Sequence, residues 1–269
     1  RDWSSDVCSS DLPAQAEETA RALHETYFAG CTPEYLRSQE FARDLNDHVC
    51  VRFDLCRRHV IPWLGRVCEL SGAAVVEIGC GTGSSTAALA SRVAHIQAYD
   101  ISPASVEAAR RRLGIMGLTD RATCYCVEPQ RLLATMAAQA PRRSVGGQPD
   151  RPTADIVLIY AVLEHQTVPE RLETLSACWD LLRPGGMLVV ADTPNRLTYW
   201  DAHTSELPFF HMLPDSVALP YASRSPRAGL RESIADVLPK GEARAAEVLA
   251  RWGRGVSYHE FELALGDLT

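Results

Sequence analysis

Three features are missing from the sequence, and each absence excludes a class of protein. None of the nine cysteines forms a CxxC pair, so the cysteine spacing of a metal site is lacking. No apolar run approaches the roughly 20 residues that a membrane-spanning helix needs. Positive charge is not in excess, because 27 Lys and Arg stand against 34 Asp and Glu, for a net charge of −7. The chain therefore has no sequence-wide electrostatic signature of nucleic-acid or anionic-membrane binding.

Composition is otherwise that of a globular protein, with 46% hydrophobic and 23% charged residues in a chain of 269. The odd number of cysteines and the lack of a signal peptide predict reduced thiols and a cytoplasmic location. Residues 1–12 have no helical or strand periodicity and resemble translated adapter sequence, so we expect a non-native prefix there. Residues 13–70 predict a helical cap, with helices over 14–29, from Pro33, and over 51–70 with a kink at Pro62.

From residue 71 to residue 191 short apolar runs alternate with helical patterns. This alternation predicts an α/β domain with a doubly wound, mostly parallel sheet. Strands are expected at 73–78, 94–99, 122–127, 155–160 and 186–191, and helices at 83–91, 103–116, 129–139 and 168–183. Residues 140–153 are polar and rich in Pro and Gly, which indicates a surface loop.

A glycine-rich loop, Gly79-Cys80-Gly81-Thr82-Gly83, follows the first predicted strand and opens a helix at Ser84. Glycines allow sharp turns and close approach to a ligand, and the helix N-terminus offers free N–H groups. A dinucleotide fingerprint would place its third glycine at position 84, so no pyrophosphate site is implied. Asp100 ends the next strand, where an acidic residue accepts hydrogen bonds from ribose hydroxyls or simply caps the following helix.

Four motifs in order resemble those of class I S-adenosylmethionine-dependent methyltransferases, over about residues 50–195: the stretch 77–83, Asp100, Leu163-Glu164-His165 and the turn 182–186. The resemblance implies S-adenosylmethionine as the cofactor. It implies that Gly79, Gly81 and Gly83, with Cys80 and Thr82 between them, hold the amino-acid end of the cofactor.

The same resemblance assigns further cofactor contacts. Asp100 would bind the ribose and Ile101 would pack on the adenine. Glu77 would orient the loop or hold the cofactor's ammonium group. Glu128 would meet the adenine amino group, although it could equally be a solvated residue of the first helical turn. The sulfonium region would be lined by Tyr160 and Ala161.

His165 lies at the carboxyl edge of the predicted sheet, where ligands bind in open α/β folds. It could act as a general base or hold the loop together with Glu164. Some quinone-biosynthesis O-methyltransferases resemble this stretch and have a further Glu that completes a divalent-metal site. That position is Ala161 here, so we expect no metal.

Residues 192–269 predict a substrate-side insertion and an incomplete C-terminal part. The insertion combines aromatic side chains with Asn195, Arg196, Asp201, His203 and His211, as in a small-molecule pocket, or it is an ordinary covering loop. We expect His203 to be a second candidate base. Ser257 and Glu260 have the spacing of a capping box, which predicts a helix rather than a strand. The closing strands of the sheet then have no candidate, so we expect a fragment that aggregates through an uncovered strand edge.

The sequence as a whole predicts a methyltransferase that acts on a small molecule, most simply at a hydroxyl oxygen. One alternative is a module that binds the cofactor without catalysis, and another is a nucleotide-cofactor oxidoreductase, which Ser84 argues against. An RNA or protein methyltransferase is disfavoured because the chain has no basic stripe. The oligomeric state is left open.

Overall fold

The computed structural model describes residues 13–139, 142–143 and 151–268. The predicted prefix and most of the predicted loop at 140–153 lie outside the described residues. Within them, the cysteines are free thiols, as the cysteine count predicts: Cys31, Cys50, Cys56, Cys68, Cys80, Cys124, Cys126 and Cys178.

A five-stranded parallel sheet forms the centre of the fold. Its strands are β1 (Ala74–Ile78), β2 (His95–Asp100), β3 (Ala122–Cys126), β6 (Ala154–Tyr160) and β7 (Leu182–Ala191). Two short strands, β4 (Arg142–Arg143) and β5 (Arg151–Pro152), form a separate antiparallel pair. The order across the main sheet is β3-β2-β1-β6-β7, and all five predicted strands are present. The apolar runs of β1 and β6 are almost wholly buried, as expected for a sheet covered on both faces.

Strand order reverses direction between β1 and β6, which makes the carboxyl end of β1 a topological switch point. Ligands of doubly wound folds bind at such points. The register pairs Ile78 with Tyr99 and Asp100 with Cys126, so β1, β2 and β3 end at the same edge of the sheet. The sheet thus presents the glycine loop and Asp100 side by side.

β7 begins at Leu182 and not at the predicted residue 186, so the predicted 182–186 turn lies inside a strand. Two glycines explain the difference. Gly185 has a φ of +78°, which bends the strand. A Cβ on Gly186 would lie 3.1 Å from the Asp155 carbonyl oxygen, so only glycine lets β7 approach β6 this closely. The Arg183 side chain also pairs with the Asp155 carboxylate.

The N-terminal helices are α1 (Pro13–Glu25), α2 (Pro33–Leu36), α3 (Gln39–Asn46), α4 (Arg52–Leu55) and α5 (Ile61–Val67). Helical backbone runs on from α3 to α5, because π-helical turns at Asp47–Val51 and Cys56–Val60 fill the gaps. The second π turn lies just before Pro62, whose ring displaces the carbonyl four residues earlier and whose nitrogen cannot donate a hydrogen bond.

Helices α6 (Ser84–Ala90), α7 (Pro103–Ile115), α8 (Pro129–Gln139) and α9 (Val168–Asp180) connect the strands, close to the predicted bounds. Helices α10 (Asp215–Tyr221), α11 (Ala228–Val237), α12 (Glu242–Trp252) and α13 (Tyr258–Leu265) follow β7. The predicted capping box is confirmed, since Ser257 and Glu260 exchange side-chain and backbone hydrogen bonds at the start of α13.

Contacts divide the chain into two compact units. One unit consists of the described residues up to Leu158 together with Leu181–Val189, and the other consists of Ile159–Asp180 and the described residues from Val190 onward. In the first, Leu23 and Phe28 of the N-terminal region pack against Ala108 of α7. In the second, α10, α11 and α12 share an apolar core around Phe210, Leu230 and Leu249.

These boundaries differ from the predicted ones, because the N-terminal helices group with the sheet and α9 groups with the C-terminal region. No helix in the described part of the chain is both long enough and apolar enough to cross a membrane.

Candidate active site

The glycine loop has a backbone that only glycine adopts without strain. Gly79, Gly81 and Gly83 have φ values of +79°, +50° and +78°. Gly83 meets a second demand, because a Cβ there would lie 2.9 Å from the Cα of Ala109 in α7. The loop therefore turns sharply and lets α6 begin directly against α7.

Asp100 ties this loop to the end of β2. Its Oδ2 accepts a hydrogen bond from the Gly81 N–H at 2.9 Å, and its Oδ1 accepts one from the Ser102 N–H, also at 2.9 Å. Ser102 in turn caps α7 by accepting from the Ser105 N–H. Each carboxylate oxygen has a second lone pair, so the two internal bonds leave capacity for a ligand hydroxyl. The ribose contact of Asp100 stays a prediction.

Glu77 is wholly buried beneath the loop. The hydroxyls of Ser85 and Thr86 in α6 both donate to its carboxylate, the latter at 2.7 Å. Burial raises the pKa of Glu77, and the two hydroxyl donors partly offset that rise. Of the two roles predicted for Glu77, these contacts favour orientation of the loop.

Loop side chains turn inward, so the loop offers its backbone to a ligand. The Cys80 thiol is buried, and its hydrogen bond to Cys124 together with burial raises its pKa. The Thr82 hydroxyl lies 3.1 Å from Nδ1 of His48, which reaches the loop from the first π turn. His48 is a residue that the sequence reasoning missed, because nothing local connects it with position 82.

Ser84 occupies the place where a dinucleotide fingerprint has glycine. Its hydroxyl donates to the His48 carbonyl at 2.9 Å and accepts from the buried guanidinium of Arg112. The serine thus has a structural role at this position, and the absence of a dinucleotide site stays a prediction.

Two predicted adenine contacts, Ile101 and Glu128, lie near the ends of β2 and β3. Ile101 is 61% exposed, which is unusual for an isoleucine and leaves an apolar surface free to pack against a ring. Glu128 is exposed and stands just before α8. The Val127 N–H donates to the Asp100 carbonyl at 3.0 Å, which keeps the two strand ends together.

The carboxyl ends of β6 and β7 are strained. Tyr160 is buried at the end of β6, and Ala161 follows with a φ of +53°, rare for a residue other than glycine. Its N–H donates to the Ala191 carbonyl at 3.0 Å, and Asp192 beyond has a φ of +56°. Strain of this kind concentrates at functional sites, which supports the prediction that Tyr160 and Ala161 face a ligand.

The second unit brings together three side chains that we call the histidine cluster: Glu164, His165 and His203. Glu164 is wholly buried in the 3₁₀ turn Leu163–His165. Its Oε2 accepts from the Thr193 hydroxyl at 3.1 Å. Its Oε1 lies 3.7 Å from Nε2 of His165 and 3.9 Å from Nε2 of His203. The two predicted bases are therefore neighbours across one carboxylate.

Hydrogen bonds fix the tautomers of both histidines. Nδ1 of His165 lies 2.9 Å from the Arg251 carbonyl, which can only accept, so Nδ1 carries the proton. Nδ1 of His203 lies 3.0 Å from the Thr204 hydroxyl, which itself donates to the Gly253 carbonyl at 2.9 Å. The neutral rings therefore both present an unprotonated Nε2 to Glu164.

Burial shifts the three groups toward their neutral forms. It lowers the pKa of His165, and it lowers the pKa of His203 to about 4. It raises the pKa of Glu164 to about 7. Both imidazoles are accordingly neutral near pH 7, and either can accept a proton.

Arg171 holds the cluster's turn in place. This buried guanidinium donates to the Leu163 carbonyl at 2.7 Å and to the Arg254 carbonyl at 2.8 Å, and it pairs with Glu260 at 2.9 Å. The Arg254 N–H returns a hydrogen bond to the Glu164 carbonyl at 2.8 Å. The segment after α12 is thus part of the support for the cluster.

Asp201 has a structural role in the insertion. It accepts hydrogen bonds from the backbone N–H groups of His203, Thr204 and Ser205 at 2.7–3.0 Å, and it lies 2.9 Å from Nε2 of buried His211. These hydrogen bonds lower the pKa of Asp201 against the opposing effect of burial. Asp201 therefore places His203, and neither it nor His211 is exposed for a substrate.

Large apolar side chains of the insertion are exposed, namely Leu197, Tyr199, Trp200 and Phe209, and the predicted Asn195 is exposed as well. The rings of Tyr199 and Phe209 meet edge to face at 4.7 Å. These side chains, rather than Asp201 or His211, are the members of the predicted substrate segment that a ligand could reach.

A cavity of about 440 Å³ adjoins the histidine cluster and is lined by His165, His203, Arg227, Val248, Arg251 and Trp252. Both arginines are paired, Arg227 with Glu206 at 2.9 Å and Arg251 with Glu170 at 2.6 Å. The cavity therefore has neutral imidazoles, an indole ring and compensated charges around it.

Comparison with known proteins supports the predicted family. A family model described as a methyltransferase domain matches residues 76–188. The ubiquinone biosynthesis O-methyltransferase of Stutzerimonas stutzeri is 31% identical over 137 residues, which are 51% of this chain and 50% of that protein. The trans-aconitate 2-methyltransferase of Methylobacterium radiotolerans is 33% identical over 150 residues, 55% of this chain and 48% of that protein.

Among solved structures, magnesium protoporphyrin IX methyltransferase from Synechocystis PCC 6803 with bound S-adenosylmethionine is 22% identical with a TM-score of 0.42. The match covers 61% of this chain and 74% of that one. The chain spans about half the length of the curated relatives that it matches.

Proposed function

We propose that the chain is a class I S-adenosylmethionine-dependent methyltransferase that methylates a hydroxyl oxygen of a small molecule, a proposal that the methyltransferase-domain match at residues 76–188 supports. S-adenosylmethionine supplies a methyl group on a sulfonium, which is already an activated electrophile. The protein has to align the acceptor oxygen with the methyl carbon, exclude water and receive the acceptor's proton.

One observation carries the choice of acceptor: the paired neutral histidines. His165 and His203 both line the cavity, and both have Nε2 free to accept a proton. A hydroxyl needs a base as its oxygen attacks, whereas a carboxylate is already an anion and needs none. In the proposed step the O–CH₃ bond forms as the S–CH₃ bond breaks, and the hydroxyl proton passes to one imidazole.

A carboxylate acceptor is the second candidate, suggested by the name of the trans-aconitate relative. Such an acceptor would need uncompensated cations in the cavity. Arg227 and Arg251 line it, but Glu206 and Glu170 already pair with them. The charge balance therefore supports a neutral hydroxyl compound, in agreement with the name of the ubiquinone-biosynthesis relative.

For the cofactor, we keep the residue roles that the family resemblance implies. The loop Gly79, Cys80, Gly81, Thr82 and Gly83 would hold the amino-acid end through backbone groups. Asp100 would bind the ribose, and Ile101 and Glu128 the adenine. Tyr160 and Ala161 would line the sulfonium. Glu77 would act indirectly, by shaping the loop.

The proposed partner is a small-molecule acceptor and not a nucleic acid, since the net charge of −7 would repel a phosphate backbone. The free thiols support a cytoplasmic location.

Transfer of labelled methyl from S-adenosylmethionine to a panel of phenols, aliphatic alcohols and carboxylic acids tests the proposal. We expect labelled product from a hydroxyl compound. Of His165→Gln and His203→Gln, the variant that removes the base should lower turnover by roughly 10²–10⁴ without weakening cofactor binding. His259→Gln is the matched control, because that ring is 85% exposed in α13.

Product from carboxylic acids alone would replace the hydroxyl proposal with the second candidate. Cofactor binding without transfer to any member of the panel would support a binding module without catalysis.

A further inference from the structure

We propose that the histidine cluster, Glu164, His165 and His203, binds one divalent transition-metal ion of the Zn²⁺ class. The starting observation is an unsatisfied atom. Glu164 is wholly buried, and among the residues that the structure describes no hydrogen-bond donor reaches its Oε1. A buried carboxylate oxygen without a partner is costly, and it is aimed at two imidazole nitrogens that also present lone pairs.

The geometry is close to that of a coordination site. One ligand atom from each side chain, Oε1 or Nε2, lies within 4.8 Å of the others. Zinc holds imidazole nitrogen and carboxylate oxygen at about 2.0–2.2 Å, so three ligands of one ion stand about 3.5 Å apart. Glu164 Oε1 lies 3.7 Å from His165 Nε2 and 3.9 Å from His203 Nε2. Small side-chain rotations would shorten both distances to about 3.5 Å.

Each prospective ligand is already oriented by a second hydrogen bond. His165 is held through Nδ1 by the Arg251 carbonyl, His203 through Nδ1 by the Thr204 hydroxyl, and Glu164 through Oε2 by the Thr193 hydroxyl. Ligating histidines nearly always donate their other ring nitrogen to such a partner, which fixes the tautomer that a metal requires.

The donor set selects the class of ion. Two imidazoles and one carboxylate suit zinc, iron, nickel or cobalt, whereas magnesium and calcium prefer oxygen ligands. Ala161 lacks the carboxylate that completes the metal site of the quinone-biosynthesis pattern, which is why no metal was expected from the sequence. The third ligand proposed here is instead a histidine from the segment after β7, His203, so the site would have one carboxylate and two imidazoles.

The inference is separate from the proposed methyl transfer, because it concerns binding alone. His165 and His203 line the 440 Å³ cavity, so an ion held by them would have an open side toward that space. With the ion bound, both Nε2 lone pairs would be occupied, so the ion-loaded site and the free imidazole base of the proposed methyl transfer would be alternative states of the same side chains.

Metal titration of the chelator-treated, dialysed protein is the test. We expect calorimetry to give one Zn²⁺ site that Mg²⁺ does not fill, and Zn²⁺ to raise the melting temperature. Co²⁺ should give the visible spectrum of nitrogen and oxygen ligation without a thiolate charge-transfer band, which separates this site from the free cysteines. His203→Ala should lower Zn²⁺ affinity at least about tenfold and abolish the melting shift, and His259→Ala should change neither.

Glu164→Gln provides a second variant that keeps the volume of the side chain and its contact with Thr193. Should His203→Ala misfold, loss of the Co²⁺ spectrum in folded Glu164→Gln decides the question. Equal Zn²⁺ affinity in wild type and a folded variant, a thiolate spectrum, or no Zn²⁺ binding by wild type would overturn the proposal.

Discussion

At the scale of single residues, the site is built from side chains that sit in unusual states. The Asp100 carboxylate accepts a hydrogen bond from each of two backbone N–H groups, and buried Glu164 has one oxygen, Oε1, without a hydrogen-bond partner. His48 is half-buried beside Thr82, and its desolvation lowers its pKa to about 4. Such states lower the stability of a fold and are concentrated at functional sites. In this protein they lie around the glycine loop and the histidine cluster.

His48 makes folding stability depend on pH. Its pKa is about 4 in the folded protein against 6.5 in an unfolded chain, so the unfolded state binds a proton first as pH falls. The stability that neutral His48 contributes is complete above pH 6.5 and is lost as pH falls toward 4. Between pH 7 and pH 5 the wild type should lose about 2 kcal/mol more than His48→Asn, at about 1.4 kcal/mol per pKa unit.

Urea unfolding at a series of pH values measures this difference, with His259→Asn as an exposed control that should follow the wild type. Parallel pH profiles for His48→Asn and the wild type would show that folding does not lower the pKa of His48.

At the scale of elements, the tight contact between the glycine loop and α7 sets the shape of the proposed cofactor site. Gly83→Ala would place a methyl group 2.9 Å from the Ala109 backbone, on a residue whose φ is +78°. We expect the free energy of unfolding to fall by roughly 2–4 kcal/mol and cofactor affinity to fall with it. Denaturant unfolding and calorimetry measure the two effects.

Gly114→Ala, a substitution in α7, is the matched control. A Cβ on Gly114 would meet no atom within 4 Å, and the φ of Gly114 is not positive. It should raise stability by about 0.5–1 kcal/mol, as usual for a helical glycine. A Gly83→Ala variant as stable as the wild type would mean that α6 and α7 do not meet as described.

Elements with strong local signals could be predicted from the sequence. The apolar run of β6, the glycines that end β1 and the Ser257–Glu260 box of α13 each specify their own structure over a few residues. The start of β7 could not be predicted, because its glycines look like a turn until β6 lies beside them.

Contacts distant in sequence could not be predicted either. His203 meets Glu164, and His48 meets Thr82, only because the fold brings separate segments together. His165 and His203 were each identifiable as candidate bases, but their pairing across a shared carboxylate was not. The sequence predicts that Glu164 helps to hold the loop, and it cannot reveal the complete burial of Glu164, which is a property of the tertiary structure alone.

At the scale of the whole molecule, chemistry is divided between two units. The unit that holds β1, β2 and β3 carries the glycine loop and Asp100, while the unit that holds α9 and the C-terminal helices carries the histidine cluster. The methyltransferase-domain match at residues 76–188 covers most of the loop-bearing part and ends before His203. The family match therefore supports the proposed cofactor, and the proposed acceptor rests on the individual geometry of this chain.

The measurement that tests the central claim most directly is calorimetric titration of the protein with S-adenosylmethionine and, separately, with NAD. The account predicts one site for S-adenosylmethionine and none for NAD. It also predicts that Asp100→Ala weakens cofactor binding by about 1–3 kcal/mol, the scale for losing a charged hydrogen-bond acceptor. Binding of NAD without S-adenosylmethionine, or an Asp100→Ala variant with an unchanged dissociation constant, would contradict it.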